Sequence, residues 1–148
     1  MPENLLVAVI GKRNSGKSTT WNRLFGRTVR TSSQLRALRL NDRNCVEVYV
    51  VSGSPEERKE YVGDLIAIEH PRIVLCSLQY KADVWQSFQY FFEHDYSGIV
   101  HWLNPGYQDH PVQYADTMGL VSHLLHAPTV VGIRNGRIDP TRRNGSRN

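Results

Sequence analysis

An apolar run, Leu5-Leu6-Val7-Ala8-Val9-Ile10, leads directly into Gly11-Lys12-Arg13-Asn14-Ser15-Gly16-Lys17-Ser18. A buried strand, a glycine-bounded loop of the pattern G-x-x-x-x-G-K-S and a following helix form a phosphate-binding loop in its proper context. Gly11 and Gly16 let the backbone bend until successive N–H groups converge on one anion. The helix that starts near Lys17 turns its positive end and its unpaired N–H groups toward the same point. Lys17 adds a full charge for the outer phosphates, which makes it the candidate catalytic cation, and the Ser18 hydroxyl is a candidate magnesium ligand. Thr19 completes the candidate nucleotide-binding set of Gly11, Lys12, Arg13, Asn14, Ser15, Gly16, Lys17, Ser18 and Thr19. The expected ligand is a nucleoside phosphate, GTP or ATP, with Mg2+ as cofactor.

A chain of 148 residues can bury one α/β core without disulfides or a structural metal. Cys45 and Cys76 stand alone in apolar stretches and read as small core residues rather than as a redox or metal pair. No apolar run is long enough to span a bilayer and the N-terminus lacks a secretory pattern, so a cytoplasmic protein without membrane attachment is expected. Charge is distributed unevenly. Residues 12–43 hold nine Lys or Arg against Asp42 alone, whereas residues 47–116 hold eleven acids against four bases. Five further arginines follow from Arg134 onward. A basic field around the phosphate loop concentrates a polyanionic ligand. The nucleotide alone would account for that field; nucleic acid, a protein partner or a second copy of the chain remain open as further partners.

The pattern along the chain predicts a helix over Lys17–Phe25 stopped by Gly26, a polar loop over Thr28–Ser33, and a β-hairpin of Leu35–Leu40 and Cys45–Val51. Pro55 is expected to open a second helix that ends before Pro71, with Tyr61, Val62, Leu65 and Ile68 on its buried face. A strand over Ile73–Leu78 follows, then a helix over Ala82–His94 whose Val84, Trp85, Phe88, Phe91 and Phe92 form a core-facing stripe. A strand over Ile99–Leu103, a helix over Pro111–His126 and a strand over Thr129–Ile133 complete the domain, residues 1–135. Residues 136–148 read as a basic, flexible tail. This alternation makes a three-layer α/β sandwich around a mostly parallel sheet of about six strands, with the hairpin as one antiparallel edge.

The same order of elements occurs in the Ras-like small GTPases. The stretch Gly16-Lys17-Ser18-Thr19-Thr20-Trp21-Asn22-Arg23-Leu24-Phe25-Gly26 resembles the G-K-S-T-x-x-N-x-L-x-G opening of the bacterial Era-like and translation-factor-related members. The resemblance implies a P-loop NTPase fold, phosphate binding by Gly11 to Ser18, magnesium on Ser18, and a switch hydroxyl from Thr28, Thr31, Ser32 or Ser33. The family's later motifs are altered. Where D-x-x-G follows the hairpin, this chain has Ser52-Gly53-Ser54-Pro55. Ser52 thereby takes the metal-orienting position, and Pro55, which has no N–H, takes that of the γ-phosphate sensor. Glu56 falls where several members place a water-orienting glutamine, which makes it the second catalytic candidate. In place of N-K-x-D the chain offers Asn104-Pro105-Gly106-Tyr107, so Asn104 is a candidate base contact without the guanine-reading acid. No carboxylate ends another strand: Ile73–Leu78 closes on Gln79-Tyr80.

Three functions remain open on these residues. The first is a GTPase-like, slow NTPase or nucleotide-gated binding module with weak activity. The second is a small-molecule or nucleotide kinase that uses the same loop, with Arg134, Arg137, Arg142 and Arg143 as lid arginines. The third is a nucleic-acid or protein adaptor with a vestigial loop. His94, Asp95, His101 and His110 lack metal-ligand spacing and read as ordinary surface or core residues.

Overall fold

A computed structural model describes residues 4–12, 16–31, 35–55, 61–66, 70–107, 113–126 and 130–138. Along the chain these form β1 (Asn4–Gly11), α1 (Lys17–Phe25), β2 (Arg36–Arg39), β3 (Cys45–Val51) and α2 (Val62–Ile66). Then follow β4 (Ile73–Gln79), α3 (Val84–Glu93), β5 (Tyr96–Tyr107), α4 (Leu120–Leu125) and β6 (Val130–Ile138). The strands make one six-stranded sheet in the order β2-β3-β4-β1-β5-β6. Among the described residues only the β2–β3 hairpin is antiparallel; the other pairings are parallel.

Alternation along the strands assigns the two faces. Val74, Cys76 and Leu78 of β4 pack with Val62 and Ile66 of α2, Val84, Phe88 and Phe91 of α3, and Leu120, Val121 and Leu124 of α4. Leu75 of the same strand packs on the opposite face with Val9, Val48, Val50, Leu103 and Trp21 of α1. Burial on both faces explains why the central strands read as continuous apolar runs. The expected three-layer sandwich and mostly parallel sheet are the observed architecture.

Local signals set the best-placed ends. Gly26 has φ 72°, and the N–H of Arg27 donates to the carbonyl of Asn22 across the end of α1, a glycine-terminated cap. In the hairpin, the Asn41 side-chain oxygen accepts from the N–H groups of Arg43 and Asn44, both at 2.9 Å, and holds the turn.

Several expectations are corrected. Among the described residues, the buried face of α2 is Val62 and Ile66, while Tyr61 lies outside it with its ring edge-to-face on Tyr90. Ile68 lies outside the described residues. α3 spans Val84–Glu93 rather than Ala82–His94, though its stripe faces the core as expected. Cys45 is exposed at the start of β3 and only Cys76 is a core residue. β5 runs on through Asn104 to Tyr107, so the residues expected to form a loop continue the strand. Its pairing with β6 becomes irregular between Leu103 and Tyr107, where Pro105 can supply no ladder N–H. The last helix begins at Leu120, because Gly119 at φ 66° cannot lie within a right-handed helix. β6 extends to Ile138, opposite Tyr107, so residues 136–138 belong to the sheet and not to a tail. Arg134 and Arg137 therefore lie on a strand and not on a lid, and Arg142 and Arg143 lie outside the described residues.

Candidate nucleotide site

The phosphate loop rises from the middle of the sheet. β1 ends at Gly11, which stands in register with Gln79 of β4 on one side and Leu103 of β5 on the other. The N–H of Tyr80 donates to the Gly11 carbonyl at 2.9 Å and so fixes the strand end from which the loop departs. Gly16 has φ 101° and ψ 17°, a left-handed conformation that side chains rarely adopt, and α1 begins at the next residue. The Thr20 N–H and hydroxyl both converge on the Gly16 carbonyl, at 3.2 and 3.1 Å.

Lys17 is buried at 7% exposure, and its ammonium donates to the Lys12 carbonyl at 2.9 Å. A buried cation needs a partner. This one is tethered from the helix to the loop, where its ammonium is held beside the start of α1. Ser18 is exposed at the start of the helix and Thr19 is half-buried. Arg13, Asn14 and Ser15 lie outside the described residues.

Sequence reasoning missed a second wall. The Lys12 ammonium sits 4.6 Å from the centroid of the Tyr114 ring, a cation–π contact. Tyr114 packs edge-to-face on both Trp102 and Tyr80, and its hydroxyl donates to the Leu103 carbonyl while accepting from the Trp102 indole N–H. Burial pushes the Tyr114 hydroxyl up to about 12, so it stays protonated and able to donate. Asn104 grips the backbone of the same residue, accepting from the Tyr114 N–H at 3.0 Å and donating to its carbonyl at 2.9 Å. The expected base contact thus fastens residue 114 to the end of β5.

Tyr80 also donates to Asp116 Oδ1 at 2.5 Å; that oxygen accepts from the Leu120 N–H at 2.9 Å and Oδ2 accepts from the Ser122 N–H at 3.1 Å, which caps α4. Burial alone would raise the Asp116 carboxyl, but the hydrogen bonds from Tyr80 and the helix N–H groups outweigh it and hold the group below the usual carboxylate range. A carboxylate lowered in the folded state contributes stability that is fully present above its unfolded pKa. That contribution is lost as pH falls through the folded value. Asp116→Ala should therefore destabilise the chain by about 0.5–2 kcal/mol at neutral pH, the usual worth of a helix cap. The difference from wild type should shrink on acidification, read from urea midpoints at two pH values. The signal in the sequence was Asp116 three residues before Gly119 and the apolar Leu120-Val121.

Ser52 is buried just beyond β3, and its N–H and that of Gly53 donate to the Thr31 hydroxyl at 2.9 and 3.4 Å. Of the four switch-hydroxyl candidates, Thr31 is thus at the end of β3 and Thr28 is exposed, while Ser32 and Ser33 lie outside the described residues. Glu56 lies outside them too. The structure brings Gly11, Lys12, Gly16, Lys17 and Ser18 together and sets Ser52 apart from them, two strands from β1.

Among the described residues no three His, Cys, Asp or Glu side chains cluster as a metal cage. Magnesium binds through few protein oxygens when phosphates and water complete its shell. The exposed Ser18 hydroxyl at the helix start fits an ion carried in on phosphates; it would supply charge neutralisation there.

Residues 6–75 match a family model described as 50S ribosome-binding GTPase. That match supports a small P-loop GTPase family for the chain. No curated protein matches the sequence significantly.

Proposed function

We propose, starting from a GTP-binding P-loop protein of small-GTPase type, that this chain turns its nucleotide over slowly and works as a nucleotide-gated binding module. The observation that carries the reading is the tethered Lys17 at the mouth of a loop closed by a left-handed Gly16. Phosphoryl transfer of this kind depends almost wholly on positioning and charge. The loop and the start of α1 supply both for binding. Groups that speed hydrolysis in the resembling family are replaced here: its D-x-x-G acid by Ser52, itself two strands from β1, its backbone donor by Pro55 and its amide by Glu56. Lys17 and the helix N–H groups neutralise the outer phosphates, and the exposed Ser18 hydroxyl at the start of α1 would ligate the phosphate-borne magnesium.

Base selection should be loose. The acid by which N-K-x-D pairs with guanine's ring N–H and exocyclic amine is absent from Asn104-Pro105-Gly106-Tyr107, and Asn104 is held by the backbone of Tyr114. Sites that hydrogen-bond a distinguishing group reject analogues by about 10⁴-fold or more, whereas sites without such a bond discriminate by about a hundredfold at most. Competition between fluorescent GTP and unlabelled GTP or ATP should therefore give a preference under about a hundredfold. Phosphate release should stay within the range of about 10⁻⁴ to 10⁻² s⁻¹ known for unassisted GTPases. Turnover of about 1 s⁻¹, or a thousandfold preference for GTP, would defeat this reading.

A further inference from the structure

The strand beside β1 on the hairpin side is β4, with β3 one place further out. Neighbouring strands lie about 4.8 Å apart, so the end of β4 is one spacing from the phosphate loop and β3 is two, or about 10 Å. Register widens the gap. Val51 and Ala8 both stand opposite Cys76, which puts Ser52 level with Val9, two residues below Gly11 and about 7 Å further down the sheet. Thr31, bonded to the Ser52 and Gly53 N–H groups, shares that remoteness.

Gln79 occupies the near position. It stands opposite Gly11 in register and is buried at 7% exposure. Its direction follows from strand alternation. Leu75 packs with Trp21 on the α1 side, and the Ser77 hydroxyl accepts the Trp21 indole N–H at 2.8 Å on that same side. Gln79, two residues on, shares this face with α1, whose first residue is Lys17. A polar side chain at this buried strand end thus lies beside the residue from which the loop departs.

We propose that Gln79 is a positioning residue of this site, its amide holding a water of a phosphate-borne divalent cation. The assignment rests on the GTP-binding reading above. The task is one the resembling family gives to the D-x-x-G acid, and the sheet order here moves it from β3 to β4. An amide can accept from a metal-bound water as a carboxylate does, but it brings no charge, so the ion is held loosely.

Titration of fluorescent GTP against the full chain, in EDTA and in excess magnesium, tests this. The readout is the ratio of the two affinities. Gln79→Ala should bring the ratio near one and leave the affinity in EDTA unchanged, which a merely structural role would not do. Gln79→Glu should raise the ratio about tenfold, the difference between neutral and charge-assisted bonds. Ser52→Ala and Ser52→Asp should leave it within about twofold. Circular dichroism checks each variant; if the buried glutamate prevents folding, Gln79→Ala decides alone. A ratio unchanged in Gln79→Ala, or one that follows Ser52→Asp instead, would overturn the assignment while leaving GTP binding standing. Absence of any Lys17-dependent GTP binding in the wild-type chain would overturn the nucleotide reading and this assignment with it.

Discussion

Lys17→Ala should weaken triphosphate binding by about ten- to a hundredfold or more, measured by fluorescent GTP titration. Hydrogen bonds to charged groups are worth about 1.5–3 kcal/mol, and every 1.4 kcal/mol is a tenfold change in affinity. The loss should fall on nucleotide and not on the fold. The ammonium donates to the Lys12 carbonyl, a contact within the loop and not in the core. The unfolding midpoint of the empty protein should move little. Lys17→Arg should not restore affinity, because a planar guanidinium cannot replace a compact ammonium in a closed loop. Unchanged GTP affinity in Lys17→Ala would remove the basis for a phosphate site at this loop.

Trp21→Ala should cost about 3–5 kcal/mol, the range for an aromatic removed from a core. Total stabilities of domains this size are about 5–15 kcal/mol, so much of the population could unfold at physiological temperature. Trp21 is 2% exposed, is the largest side chain between α1 and the sheet, and is bonded through its indole N–H to Ser77. It therefore holds α1, and with it the loop, against β4. Trp21→Phe keeps most of the packing and loses the donor, so it should lie between wild type and Trp21→Ala in urea unfolding. If Trp21→Ala unfolds at the wild-type midpoint, α1 is not anchored as described.

The loop and its helix were legible because everything that makes them is local. Gly11, Gly16, Lys17 and Ser18 sit within eight residues, and the flanking strand and Gly26 stop are contiguous with them. The core stripe of α3 and the hairpin were equally readable from period and turn residues. The second wall was not, because Lys12, Tyr80, Trp102, Tyr114 and Asp116 are scattered over about a hundred residues and meet only when β1, β4 and β5 lie side by side. The long β5 and the late start of α4 were missed for related reasons. Partner pairing carries β5 past a proline, and a left-handed Gly119 delays the helix.

By itself, the sequence determined the element order and the phosphate loop, since hydrophobic period, glycine conformation and helix polarity act between neighbours in the chain. Which strand stands beside that loop was decided only by the tertiary structure. Parallel strands pair across crossovers whose endpoints leave no local mark, so nothing in Val46-Glu47-Val48-Tyr49-Val50-Val51 or Ile73-Val74-Leu75-Cys76 says which of them neighbours β1. The order β3-β4-β1 is what separates Ser52 from the strand that carries the loop and sets Gln79 in register with Gly11.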